Sequence, residues 1–213
     1  MDKRWSRIAV GSCALGMLVL CACSDTPKSA ESDAKADAAA AAAGPAVPVP
    51  GKTAYWEMYK SAFNWSKDCT PIKLEAKEIP GIKNDNGKAA LWEATFTSDS
   101  QHQARVFTYA IVAHPPDIYK GVTIGGPIPW SGPNREAMPF QMSQVGVDSD
   151  DAFKTAQGDA GKWLKDHPGK EPAVTLQVSA KYQIPTWFIV WGDSKLGYRA
   201  LINGMNGAAI TSK

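Results

Sequence analysis

The feature that most constrains this chain is a helix ending used twice. "NWSKD" at 64–68 is nearly repeated by "KWLKD" at 162–166. Aligned without gaps, residues 53–68 and 151–166 share Ala54/Ala152, Ala62/Ala160, Trp65/Trp163, Lys67/Lys165 and Asp68/Asp166, and Tyr55 stands opposite Phe153. Internal self-similarity of this kind points to a molecule built from two like parts. Both segments read as amphipathic helices. Tyr55, Met58, Tyr59, Ala62 and Phe63 in the first, and Phe153, Ala156, Ala160, Trp163 and Leu164 in the second, follow three-and-four spacing. In the second, Asp148 or Ser149 is placed to cap the first turn, Asp150 and Asp151 complement the helix dipole, and Pro168 forbids continuation.

The segments downstream of the two helices also correspond. "IKLEAKEI", "KAALWEATFTS" and "ARVFTYAIVAH" come after the first; "AVTLQVSAKY", "TWFIVWGD" and "LGYRALING" come after the second. These runs are rich in β-branched and aromatic residues and are separated by turn signals such as "NDNG" and "GDSK". The expected fold is therefore α+β: two α-β-β-β repeats, with antiparallel sheets each covered by one helix. Residues four apart on a strand share a face, so Trp92 pairs with Phe96 and Trp187 with Trp191. These aromatics either pack between sheet and helix, together with Trp65 and Trp163, or form an exposed binding strip. On the second reading Trp92, Trp187 and Trp191 are candidate partner-binding residues. The first repeat spans 53–120, the second 148–213, and a Gly/Pro-rich connection occupies 121–147. That connection either carries function or conceals a strand. Its isolated Trp130 is the leading candidate for an exposed contact residue.

The N-terminus sets the address. Lys3, Arg4 and Arg7 precede an uncharged apolar run from Ile8 to Ala22, the pattern of a signal peptide over residues 1–22. As a helix that run spans roughly 22 Å, short of a ~30 Å hydrocarbon layer, so cleavage is expected rather than a permanent span. Residues 24–52 contain no aromatic residue and only two valines as large apolar groups. They cannot bury enough surface to offset their ordering entropy. Residues 23–52 thus read as an Ala/Pro-rich tether, with a reach of about 30 Å if flexible. After loss of residues 1–22 the chain holds 20 basic and 20 acidic residues. Neutrality removes the electrostatic case for nucleic acid.

Leu20-Cys21-Ala22-Cys23 resembles the lipobox of bacterial lipoproteins. The resemblance implies cleavage before Cys23, a diacylglyceryl group on its thiol and an acyl chain on its amine, such as palmitate. Several chains suffice for stable anchoring, whereas one gives marginal attachment. Ser24 rather than Asp after the cysteine resembles outer-membrane sorting, which implies a protein facing the periplasm. An ordinary secretory signal is the other reading. With Cys13 and Cys21 removed and Cys23 modified, Cys69 is the sole thiol left, so no intrachain disulfide forms. Cys69 is expected to be a small buried apolar residue, with a reactive thiol as the alternative.

Residues 149–210 resemble the PepSY domain, a helix followed by antiparallel strands and a closing strand ending in a small-residue turn, here Asn203-Gly204-Met205-Asn206-Gly207. Residues 53–114 resemble a more divergent copy. The tandem pattern is also similar to the β-lactamase inhibitory protein and to a small lipoprotein of the outer-membrane barrel assembly machinery. The PepSY resemblance implies a non-catalytic binding or peptidase-modulating module. The alternatives are a structural or assembly factor of the outer membrane and an enzyme of unrecognised type.

No G-x-S-x-G, H-E-x-x-H or phosphate-binding glycine loop occurs. His102, His114 and His167 are the available neutral-pH bases, and each is placed at a turn or helix end where solvated or capping roles are expected. No cysteine or histidine spacing suits a metal, and "DSDD" at 148–151 lacks the glycine and glutamate of a calcium loop. No metal or cofactor is expected. The partners expected are the membrane, through Cys23, and an envelope protein or peptidase.

Overall fold

The computed structural model describes residues 46–193 and 196–210. Residues 1–22, read above as a signal peptide, Cys23 and most of the stretch read as a tether lie outside them. The chain runs α1 (Gly51–Trp65), β1 (Thr70–Lys77), β2 (Leu91–Ser98), β3 (Gln103–Ala110), β4 (Gly121–Pro129), a 3-10 turn (Met142–Gln144), α2 (Ser149–Asp159), α3 (Gly161–Asp166), β5 (Pro172–Gln177), β6 (Thr186–Trp191) and β7 (Tyr198–Asn203). The α+β class holds. The expectation of two sheets is corrected, because all seven strands form one antiparallel sheet in the order β4-β3-β2-β1-β5-β6-β7. Strands β1 and β5 would each be an edge if their halves stood apart. Pairing Lys73 with Gln177, Leu74 with Leu176 and Glu75 with Thr175 removes both edges at once.

The order helix then strands occurs on both sides of that junction, with two differences. The second helix, expected to run unbroken to residue 166, stops at Asp159 and restarts at Gly161. Gly158 and Gly161 flank the break and weaken helix propagation there. The first half also carries a strand in what reads from sequence as a connection. β4 pairs with β3 over Gln103↔Pro129 to Ala110↔Gly121 and shifts register between Arg105 and Phe107, opposite Gly125-Gly126. Pro127 and Pro129 cannot donate to a ladder, which suits β4 to its place at the sheet edge.

Both helical elements lie on one face of the sheet and share one core. Trp92, Phe96, Phe107, Leu74, Leu176, Trp187, Ile189 and Trp191 meet Tyr55, Met58, Ala62, Ala152, Phe153 and Ala156 there. Full burial of a Leu, Ile, Met or Phe side chain contributes about 1.5–3 kcal/mol by its removal from water. The indole N–H of Trp92 donates to the Val49 carbonyl at 2.9 Å, and that of Trp187 donates to the Val147 carbonyl at 3.0 Å. Both acceptors lie two residues before a helix. Val49 also exchanges two backbone hydrogen bonds with Ala89, both 3.0 Å, so the last residues assigned from sequence to the tether belong to the fold.

The helix N-termini meet over this junction. A Cβ on Gly51 would stand 2.9 Å from Trp187 Cη2 and 3.2 Å from Trp92 Cη2, so only glycine lets α1 begin directly on the two indoles. The N-cap of α1 is Pro50, whose side chain caps nothing. Instead the Gly51 N–H donates to Ser149 Oγ at 2.8 Å and the Lys52 N–H to Asp148 Oδ1 at 2.9 Å. Asp148 Oδ1 also accepts from the Ser149 N–H at 2.7 Å, so one carboxylate serves two helix starts.

Candidate binding surface

The tryptophans expected as contact residues are not on the surface. Trp92, Trp187 and Trp191 are 0%, 0% and 1% exposed. They point from β2 and β6 into the layer beneath the helices, and the binding-strip reading of all three is corrected to core packing. Trp130 is also buried. Its backbone N–H donates to the His102 carbonyl at 3.0 Å and its indole N–H to Asp99 Oδ1 at 2.8 Å, while its ring packs with Ile72, Ala104 and Ala137. It pins the chain leaving β4 against the sheet.

The three histidines are exposed and separate. His102 sits in the β2–β3 turn with φ of 52°. His114 pairs with Ile118 in a loop. His167 ends α3, its ring stacked 4.1 Å from Trp163 and its Nδ1 3.0 Å from the Trp163 carbonyl. Among the described residues no three of His, Cys, Asp and Glu gather to hold a metal. No helix among them is long and apolar enough to cross a membrane.

The surface that stands out is the outer flank of α1 together with the sheet edge beside it. Tyr59 lies 5.6 Å from Trp56 and 5.9 Å from Phe63, ring to ring, as expected for helix positions three and four apart. Trp56 is 47% and Phe63 39% exposed. Phe63, expected in the core face of the helix, thus lies largely outside it. Lys67 Nζ stands 3.9 Å above the Phe63 ring.

At the helix C-terminus the Trp65 ring packs 6.0 Å from Phe107, and the Arg105 guanidinium carbon is 5.4 Å from the Trp65 ring. Arg105, Phe107 and Tyr109 alternate along β3 and share the helix-side face. Their cross-strand neighbours on β4 are Pro127, Ile124 and Val122. Val122 reaches the core, whereas Ile124 is 47% exposed. β4 therefore continues the apolar face past the part that α1 covers.

The end of α1 is fixed in place. Asp68 accepts from Ser66 Oγ, from Ser98 Oγ at 2.7 Å and from the Ser100 N–H at 2.8 Å, tying the helix end to the β2–β3 turn. Those hydrogen bonds, Ser66 first, hold the Asp68 carboxyl well below the usual carboxylate range. Gln101 Nε2 donates to the Trp65 carbonyl at 3.1 Å. Against this ordered background, Trp65 Nε1 and Arg105 Nε are both sealed from solvent without a hydrogen-bond partner. A cation at an inward-facing position of β3 was the available sequence signal for this corner. The strand concealed in the proline-rich connection carried only the short alternation of Val122 and Ile124 ahead of its glycines and prolines.

No family model matches the chain, and no curated protein matches it. Among solved structures the chain is similar to a putative lipoprotein of Clostridium difficile 630, at 12% identity and a TM-score of 0.48, over 74% of this chain and 90% of that one.

Proposed function

We propose that this protein is a lipid-anchored, non-catalytic binding module of the bacterial envelope, held by acyl chains on Cys23 at the outer membrane and facing the periplasm. The charged start, the apolar run and Leu20-Cys21-Ala22-Cys23 support the anchor. The observation that carries the binding reading is the uncovered flank of α1, where the rings of Trp56 and Phe63 lie open to solvent on either side of Tyr59. Residues that pack a monomer's core have no need to leave such rings in water. The peptidase-modulating form of the reading rests on the PepSY resemblance of residues 149–210.

Two measurements test it. Intact-mass analysis of the mature protein is expected to show an N-terminal cysteine carrying acyl chains, and Cys23→Ser should move the protein from the membrane to the soluble fraction. An unmodified N-terminus would sink the anchor. Cross-linking of the full-length protein in membranes should capture an envelope partner, with the adduct lost in a Trp56→Ser/Phe63→Ser double variant that keeps its thermal midpoint. An adduct unchanged by the pair would place binding elsewhere.

A further inference from the structure

We infer that the cavity bounded by α2, α3 and the start of β5 is a second binding site, which takes a small uncharged ring compound carrying an oxygen acceptor. It shares no residue with the α1 flank and goes beyond the reading given to that surface. Ala76, Phe153, Leu164, Pro172, Val174 and Trp191 form its apolar walls, and it holds about 160 Å³. A cavity of about 150 Å³ with aliphatic and aromatic walls admits benzene. By size, the occupant is one six-membered ring with a small substituent.

The walls are in place before a ligand arrives, as in most small-molecule sites. Asp85 and Lys88 exchange two backbone hydrogen bonds, 2.9 and 2.8 Å, which close the turn that carries Gly87. Gly87 also lines the cavity and presses on α2: a Cβ there would stand 2.7 Å from Phe153 Cβ and collide with the Ser149 carbonyl. The Phe153 ring in turn lies 6.0 Å from that of Trp191. The polar chemistry of the site comes from Trp191. The indole N–H groups of Trp92 and Trp187 each reach a carbonyl, whereas that of Trp191 has no hydrogen-bond partner among the described residues. Nor is it one of the donors sealed from solvent, and Trp191 lines this cavity. An indole N–H only donates, so it calls for an acceptor. A ring oxygen can replace water there while the ring itself gains the apolar walls. At the mouth Lys88 faces Asp150 and Glu171 faces Lys83, each pair at 3.7 Å, and Lys170 is exposed to solvent. Charges of both signs, paired or solvated, select no ionic ligand.

The test uses the full-length protein in detergent, with each tryptophan indole resolved by proton–nitrogen NMR and free ligand fixed by equilibrium dialysis. Phenol supplies a ring with an oxygen, and toluene matches its size without one. Phenol is expected to shift the Trp191 indole signal saturably and to leave those of Trp92 and Trp187 in place, with toluene at least tenfold weaker. Ala76→Leu fills the cavity and should weaken phenol at least tenfold. Leu164→Ala enlarges it and should admit 2-naphthol, which the wild type excludes, so the site stays testable should the filled variant fail to fold. The assignment is overturned by a Trp191 signal that never saturates, by toluene binding as tightly as phenol, or by phenol titrations unchanged in Ala76→Leu. Exclusion of 2-naphthol from a folded Leu164→Ala protein would count against it equally.

Discussion

Asp68 and Cys69 are adjacent at the end of α1 and are shifted in opposite directions. Hydrogen bonds from Ser66, the Ser100 N–H and Ser98 pull the Asp68 carboxyl down, so its stabilisation is present above the ordinary carboxylate pKa and is lost as pH falls through its folded value. Burial pushes the Cys69 thiol up to about 11, and the Asp68 charge adds to the effect. The folded state then holds its thiol proton after the unfolded chain has released it. Stability from this group is complete below the unfolded thiol pKa and declines as pH rises through about 11. Cys69 should therefore resist an aromatic disulfide reagent at pH 8 in the folded protein and react at once in urea. Rapid stoichiometric labelling of the native protein would contradict its burial. The sequence made this residue legible, since a small thiol just before an apolar strand has a core to enter. Trp130 was not legible: its anchor, Asp99, is 31 residues away, and nothing local announces the pair.

At the scale of elements, α1 borrows its start. Pro50 has no side-chain acceptor, and the oxygens that satisfy Gly51 and Lys52 come from Ser149 and Asp148, nearly a hundred residues on. Reading "DSDD" as a cap for its own helix was right as far as local spacing reaches, because Asp148 does accept from Ser149. Its second role depends on the two helices meeting, which spacing does not encode. Removing a cap costs about 0.5–2 kcal/mol, and Asp148 joins two helix starts. Asp148→Ala is expected to lower unfolding free energy by about 2 kcal/mol in urea, whereas Asp148→Asn should recover most of it, since the amide oxygen still accepts. Equal losses in both would assign the effect to charge rather than to capping. β4 shows the converse case. Its alternating Val122 and Ile124 were a strand signal, but Gly125, Gly126, Pro127 and Pro129 outweighed it, because proline is a breaker everywhere in a sheet except at an edge.

For the whole molecule, two helix-plus-strand runs were visible in the sequence and their union in one sheet was not. Periodicity tells which residues face inward but not whether two inward faces are continuous. Here they are, and the consequences concentrate at the junction. Leu74 pairs with Leu176, α1 is capped from α2, and Gly51 rests on Trp92 and Trp187 together. Cutting the chain between 147 and 148 would expose the β1 and β5 edges, leave the α1 start uncapped and uncover one side of Trp187. The C-terminal piece would have 66 residues. A domain that small buries only about 60% of its unfolded surface and is marginal even with its core intact. Fragments 46–147 and 148–213 are therefore expected to lack cooperative thermal transitions alone, by near-ultraviolet circular dichroism, and to regain the tryptophan signal when mixed. A sharp transition in the isolated 148–213 fragment would show that the junction is an interface between finished domains, since one continuous core cannot survive the loss of half its sheet.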